Sequence, residues 1–295
     1  MKAFEYVRPS SVEQVCAALV ASGGAARVLA GGTDLLVQMK QSKLRPATLV
    51  SLRDVAGLSF VHLEDDGALT IGAATPLAAV VDSEEVRKGF PAIAEAAACI
   101  GSVQVRTRAT VGGNLCNAAP SADLAPILIA HGARVVISDG RRRRSVALED
   151  FFLGPGQTAL AAAELLVEIR VPRAPTGSFA TYRRACRSAM DIAVVGVGAL
   201  VIFESGATRV REARLVLGAV APTPIRARAA EAEVAGRELD EPTIARAGAL
   251  AAEEAQPISD VRASAAYRSA LVEVLARRAL AAARSWAHGQ EGAPQ

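Results

Sequence analysis

The sequence predicts an α+β protein. A first domain of two α/β subdomains, about residues 1–57 and 58–175, precedes a second α+β domain at 176–288, in which a β-sheet is backed by helices. Three observations carry this expectation. Short apolar runs of strand length alternate with stretches of helical period as far as Val171. The segment Pro172 to Gly177, with a second proline at Pro175, then interrupts the pattern as a domain boundary would. Beyond it strand-like runs come first and helical runs follow, the order of an α+β domain.

The elements follow in chain order. Ala3 to Val7 alternates as an edge strand before Pro9. Ser11-Val12-Glu13-Gln14 is a capping box opening a helix through Leu19, which Gly23-Gly24 ends. Arg27 to Ala30 is a strand, Leu35 to Lys40 a short helix, and Thr48 to Leu52 a second strand, together a small βαβαβ-like unit ending near Ala56. Leu58 to Leu63 and Ala68 to Ala73 flank Asp65-Asp66-Gly67, whose Asp-Gly step favours a hairpin turn. One helix is expected from Ser83 to Ile100, with Val86, Phe90, Ile93, Ala97 and Ile100 on its buried face. Leu124 to Ala130 is an apolar helix or strand, and Arg134 to Ser138 a strand turned by Asp139-Gly140. The run Arg141 to Arg144 reads as a phosphate or partner site, or as a hairpin edge guarded by charge; the second is favoured. Glu149 to Phe152 and Glu164 to Pro172 close this unit. In the second domain Phe179 to Arg184, Asp191 to Phe203 and Arg209 to Val220 read as strands. Arg226 to Ala235, Glu241 to Ala255 and Val261 to Ala287 read as helices, the last with Leu271, Val274, Leu275, Ala279, Ala282 and Trp286 on one stripe. Residues 289–295 read as a frayed tail.

Composition narrows the class. The 295 residues suffice for two or three cores, and a 51% hydrophobic but 4% aromatic content marks a globular, alanine-rich chain. A net charge of +3 argues against a dedicated nucleic-acid binder. No apolar run reaches the roughly 18–20 residues of a membrane span. No apolar signal region follows Met1 either, so a soluble, cytoplasmic protein is expected. Cys16, Cys99, Cys116 and Cys186 are scattered singles, read as buried thiols; His62, His131 and His288 are equally scattered, and no metal site follows from local spacing.

Two glycine stretches hold the chemistry. Thr110-Val111-Gly112-Gly113-Asn114-Leu115-Cys116-Asn117-Ala118-Ala119-Pro120-Ser121-Ala122-Asp123 sets a bare backbone among short polar side chains, as in a loop wrapped around a ligand. Ala30-Gly31-Gly32-Thr33-Asp34-Leu35-Leu36 follows a strand with the same logic. Glycine serves where the main chain takes positive φ or approaches a phosphate. Either stretch alone reads more simply as a tight turn, and Asp34 as a helix N-cap. Neither has the G-x-G-x-x-G or G-x-x-x-x-G-K-[ST] spacing of the common nucleotide loops. Two such loops can enclose a diphosphate through main-chain amides.

Jointly and in this order, the stretches resemble the flavin subunit of the molybdenum hydroxylases. That group includes the medium subunit of carbon monoxide dehydrogenase and the FAD domain of xanthine dehydrogenase. Its signatures read approximately A-G-G-T-D-L and, roughly eighty residues on, T-[IV]-G-G-N-[ILV]-x-x-A-x-P-x-x-D. The likeness runs from Met1 to about Ala287. It implies a PCMH-type, vanillyl-alcohol-oxidase-like and non-Rossmann first domain that binds FAD, and a second domain like the carbon monoxide dehydrogenase flavoprotein C-terminal domain. Neither glycine stretch places a His or Cys as an obvious ring-linking nucleophile, Cys116 being the one thiol nearby, so noncovalent binding is expected. By the resemblance Ala30, Gly31, Gly32, Thr33, Asp34 and Leu35 lie on the pyrophosphate and its flanks. Ala109, Thr110, Gly112, Gly113 and Asn114 form the facing loop, Asp123 holds a ribose or ribityl hydroxyl, and Leu166 lies near the adenine or ring. Ile100 stands where xanthine dehydrogenases carry an aromatic over the flavin, and Arg183 where they carry a lysine near the ring; Arg183 and Arg184 read equally well as a surface strand. No catalytic residue or metal ligand is assigned.

The implied role is electron transfer within a heterotrimer, itself expected to dimerise. A large subunit would oxidise substrate at molybdenum-pterin, a small subunit would relay electrons through two [2Fe–2S] clusters, and this subunit would pass them to an external acceptor. The alternatives are a self-sufficient flavin oxidase or reductase of the same FAD-domain type, and a nucleotide- or carbohydrate-binding module.

Overall fold

The computed structural model describes residues 2–206 and 208–291. The first unit holds β1 (Glu5–Val7), α1 (Val12–Ala21), β2 (Ala26–Leu29), α2 (Leu35–Lys40) and β3 (Thr48–Ser51), with the strands parallel in the order β1-β3-β2. Ser11 caps α1 by accepting the Gln14 N–H, while Gln14 reaches back to Ser10 rather than Ser11, so the capping box is displaced by one residue. The apolar side of this unit, Val15, Cys16, Leu19 and Val50, packs against Val136, Leu165 and Val167 of the next sheet.

The second unit contains β4 (Val61–Leu63), β5 (Leu69–Gly72), α3 (Leu77–Asp82), α4 (Glu84–Gly89), α5 (Pro91–Ala98), α6 (Val103–Arg106), α7 (Val111–Asn117), α8 (Leu124–Ala130), β6 (Arg134–Ser138), β7 (Arg143–Ala147), β8 (Phe152–Gly154), β9 (Gln157–Thr158) and β10 (Leu165–Val171). Five of its strands form an antiparallel sheet in the order β4-β5-β10-β6-β7. The single helix expected over Ser83 to Ile100 is two. Phe90, at φ −140° before Pro91, breaks it, because a residue preceding proline is forced out of helical geometry. The buried face is kept, since Val86, Phe90, Ile93 and Ala97 all lie in the core. The Thr110 stretch, expected as a loop, begins with α7, and Leu124 to Ala130 resolves as a wholly buried helix. β7 is the sheet edge, with Arg143 and Arg144 exposed along it and Arg141 and Arg142 donating their N–H groups to the Asp139 carboxylate, the charged hairpin edge that was favoured.

The third unit is a four-stranded antiparallel sheet of β11 (Ser178–Ala185), β12 (Val195–Phe203), β13 (Val210–Gly218) and β14 (Ile225–Arg226), with α9 (Arg228–Val234), α10 (Glu241–Glu254) and α11 (Ala265–Glu291) on one face. α11 starts later than expected, because residues 260–264 turn around the Asp260 carboxylate, which accepts the N–H groups of Arg262 and Ala263. It runs through Glu291, so Gly289 to Glu291 are helix rather than tail; 292–295 lie outside the described residues. Its buried stripe is Val272, Leu275, Ala276, Ala279, Leu280 and Ala283, while Val274 is exposed. Of the expected stripe Leu275 and Ala279 are buried, and Ala276 and Ala283 join them in place of Ala282. No helix among the described residues is long and apolar enough to cross a membrane.

The other face of this sheet lies on α8, and glycine makes the contact possible. A Cβ on Gly198 would stand 2.6 Å from the Pro126 carbonyl carbon and 2.7 Å from the Ile127 nitrogen, and one on Gly218 would stand 2.8 Å from Pro126 Cγ. The sheet thus rests directly on helix backbone, fixing the position of the Asp123 segment that opens α8. At the far end of α8, His131 is buried edge-on to Phe90 with neither ring nitrogen hydrogen-bonded. Burial, with Arg214 adding to it, lowers its pKa from 6.5 to about 4.

Gly198→Val should lower the urea unfolding free energy by about 1–3 kcal/mol. Gly89→Ala, where nothing lies within 4 Å of the new Cβ, should be neutral or slightly stabilising. His131 takes up a proton at a higher pH in the unfolded chain than in the folded one, so stability should fall as pH drops from 6.5 toward 4. The loss from this residue is about 3 kcal/mol at the low end. Urea midpoints across that window should show a shallower slope for His131→Leu; an unchanged slope would place the acid sensitivity elsewhere.

Candidate functional site

The first glycine stretch leaves β2 at Leu29 and turns at Gly32, where φ is +75°. Gly31 lies against the other stretch: a Cβ there would fall 1.9 Å from the Arg108 carbonyl oxygen and 3.0 Å from Ala109 Cα. The two stretches therefore touch backbone to backbone. None of the N–H groups of Gly31, Gly32, Thr33, Asp34 and Leu35 meets a protein acceptor, whereas the Gly32 and Asp34 carbonyls accept the Leu36 and Gln38 N–H groups at 3.1 and 2.9 Å. Asp34 occupies the position before α2 but makes no capping bond, so the simple N-cap reading does not hold. Its side chain reaches solvent, yet the protein atoms crowding its carboxylate raise its pKa. Successive donors without acceptors are what a group rich in anionic oxygens requires.

The second stretch is built differently. Thr110 caps α7, its hydroxyl accepting the Gly113 N–H at 3.0 Å. The N–H groups of Val111, Gly112 and Asn114 go to the carbonyls of Thr75 (3.0 Å), Ala73 (2.8 Å) and Thr110 (2.9 Å). Ala109, buried, accepts the Leu77 N–H. Its amides are thus mostly spent inside the protein, contrary to the expectation that both stretches offer main-chain donors. Neither Gly112 nor Gly113 has positive φ. Gly112 is required for packing, since a Cβ would stand 2.6 Å from the Ala73 oxygen, whereas one on Gly113 would meet only the Thr110 hydroxyl. What α7 leaves open is Asn114, whose Oδ1 is buried without a partner. Turning the amide over would put its nitrogen in the same place, so a polar atom awaits a partner either way.

Asp123 is 6% exposed and already engaged. The Tyr182 hydroxyl donates to its Oδ1 at 2.8 Å, and Arg184 Nη1 lies 3.4 and 3.5 Å from its two oxygens. Burial raises the Asp123 pKa, while Tyr182 and Arg184 oppose the rise. Tyr182 and Arg184 are two apart on β11 and share a face, so Arg183 projects from the opposite face, where it is exposed. The arginine brought to Asp123 is Arg184, and the surface-strand reading fails for it. The sequence singles out neither as a partner of Asp123, since Arg184 is read there only together with Arg183 and Tyr182 is not read as a site residue at all; their i, i+2 spacing on an expected strand is the available signal. Leu166 is buried at a bulge of β10, where the Val167 carbonyl accepts the Ala73 N–H, and Ile100 is half-buried beyond α5.

No group of His, Cys, Asp or Glu among the described residues is arranged to hold a metal ion. All four cysteines are free; only Cys16 is fully buried and the other three are half-buried. Burial pushes the Cys116 thiol up to about 12, which makes it a poor nucleophile.

Comparison with known proteins agrees across the whole chain. The family described as FAD binding domain in molybdopterin dehydrogenase matches residues 2–174, and the CO dehydrogenase flavoprotein C-terminal domain matches residues 158–283. The xanthine dehydrogenase FAD-binding subunit of Escherichia coli O157:H7 is 34% identical over 275 residues, 92% of this chain and 93% of that one. The carbon monoxide dehydrogenase medium chain of Afipia carboxidovorans is 35% identical over 283 residues, 96% of this chain and 97% of that one. Among solved structures, carbon monoxide dehydrogenase from Hydrogenophaga pseudoflava matches with a TM-score of 0.93 at 34% identity, covering 96% of this chain and 98% of that chain. With its two domains in the same order and its length matched nearly end to end, the chain belongs to the FAD-binding medium-subunit family of the molybdenum hydroxylases.

Proposed function

We propose that the chain holds FAD noncovalently and serves as the electron-transfer subunit of a heterotrimeric molybdenum hydroxylase. The observation that carries this is the run of five unengaged N–H groups at Gly31 to Leu35, with the buried, unpartnered Asn114 Oδ1 on the facing stretch. These residues fit a pyrophosphate, whose oxygens would take the donors, with Gly32 keeping the turn open. Thr110 and Gly113 stiffen the start of α7, Gly112 seats that helix on Ala73, and Gly31 against Arg108 and Ala109 brings the two stretches into contact. Asp123 retains lone pairs for a ribose or ribityl hydroxyl, and Leu166 and Ile100 would supply apolar surface beside the adenine or ring. Arg184 replaces Arg183 as the cation nearest that site. Bound FAD would supply a carrier that exchanges electrons one or two at a time.

The electrons arrive from another chain. Two [2Fe–2S] clusters take about eight ligands in all, and this sequence has four cysteines, all free. An iron–sulfur small subunit and a molybdenum-pterin large subunit, in a dimer of heterotrimers, complete the unit. The relatives' names range over xanthine, carbon monoxide and caffeine dehydrogenases, so we assign the substrate to the partners. We divide the chain into a PCMH-type domain at 1–175, with subdomains 1–57 and 58–175, and a second domain at 176–288; the sheet boundaries support this. Four unpaired thiols suit a reducing compartment, and we place the protein in the cytoplasm.

The purified protein should be yellow and release all its flavin into the supernatant on acid precipitation; colour kept in the pellet would contradict noncovalent binding. Gly32→Val should keep a folded far-UV CD spectrum and lose its flavin, because a branched Cβ at φ +75° strains the donor turn. The isolated yellow subunit, assayed with aldehydes, purines, carbon monoxide and aromatic acids and a dye acceptor, should show no turnover. Adding the iron–sulfur and molybdenum subunits should restore it; turnover without them would identify a self-sufficient oxidase.

A further inference from the structure

We infer that Tyr182 and Arg184, on the second domain, are positioning residues that hold the Asp123 carboxylate of the first domain in place for a cofactor hydroxyl. The inference rests on the reading that Asp123 meets the bound FAD, and adds to it the groups that make that contact possible.

The segment from Ala118 to Asp123 joins α7 to α8 and has little structure of its own. Ala118 stands at φ +44°, in the left-handed region, a conformation a non-glycine residue keeps only when its surroundings enforce it. The enforcement comes from three places. The Gly156 N–H donates to the Ala118 carbonyl at 3.0 Å. The N–H of Ala219, itself at φ +64°, donates to the Pro120 carbonyl at 2.8 Å. Tyr182 and Arg184 then take the Asp123 side chain, the phenol at 2.8 Å and the guanidinium at 3.4 Å. Two of the three anchors belong to the second domain.

The receiving strand is shaped for this. A Cβ on Gly196, on neighbouring β12, would lie 2.6 Å from the Tyr182 oxygen, so the phenol occupies space that only glycine leaves. Arg184 is fixed from behind by the carbonyls of Ala189 at 2.7 Å and Asp191 at 3.3 Å. Its remaining reach is directed at Asp123, whose two carboxyl oxygens lie 3.4 and 3.5 Å from Nη1 and are oriented by it. A carboxylate held by two donors on one side presents its free lone pairs in one direction, as an orienting hydrogen bond to a hydroxyl requires.

A double-mutant cycle on FAD affinity tests this in the full chain within its purified complex, stripped of flavin and titrated with FAD by fluorescence quenching. Asp123→Ala and Tyr182→Phe should each raise the Kd by about tenfold, and the double variant should be no worse than the weaker-binding single. A tyrosine that merely supported the fold would still weaken binding in the Ala background. If Tyr182→Phe loses its folded CD spectrum, Arg184→Lys carries the same cycle. An unchanged Kd for Asp123→Ala would remove Asp123 from the cofactor and overturn both the reading and the inference. Weakening by Asp123→Ala alone, or losses that multiply in the double variant, would overturn the positioning role and leave the reading of Asp123 standing.

Discussion

The backbone of Gly31 rests on the carbonyl of Arg108, and the candidate site depends on that contact. It joins a turn from the parallel unit to the approach of a helix from the antiparallel one, with no side chain between them. Through this contact the turn that carries the donors meets the main chain at Arg108 and Ala109, immediately before Thr110 and α7. The rest of the first domain maintains this approach. Thr75 and Ala73 bind the amides of α7, and Val167 in turn binds Ala73, so the helix start is tied to the centre of the five-stranded sheet.

The two glycine stretches are alike in sequence and unlike in use. In the first, positive φ at Gly32 keeps a row of N–H groups unpaired. In the second, glycine allows α7 to lie on Ala73, and the amides are consumed by that packing. A motif read by residue type alone cannot separate these roles, because both satisfy the requirement for a bare Cα. The difference lies in what the carbonyls of distant strands are doing.

Much of the fold was legible because apolar period and turn residues are local. The parallel unit, the Asp65-Asp66-Gly67 hairpin, the charged edge at Arg143 and the strands-before-helices order of the second domain all follow from short windows, while the two-residue β14 goes unread. The failures have identifiable causes. Pro91 outweighed a continuous apolar face and split one helix into two. The alanines of α11 are core residues that hydropathy ranks low, so Val274 was placed inwards in error. Within the site, the glycines, Asn114 and Asp123 could be read from local motifs, whereas the spacing of Tyr182 and Arg184 shows only that they share one face of a strand. Their role depends on Asp123, about sixty residues away, and only the packing of β12 on α8 through Gly198 brings the two segments together.

The strand order of the second unit also bears on how the chain is made. β10 lies between β5 and β6 and pairs with both, yet it is the last strand of that sheet to be synthesised. Until Val171 has left the ribosome, the β4-β5 and β6-β7 hairpins each present an open edge with nothing to close it. The contact between β5 and β10 spans roughly a hundred residues, a long loop whose closure precedes any reward from pairing. A chain that stops short of Leu165 therefore lacks the strand that covers the inner edges of both hairpins.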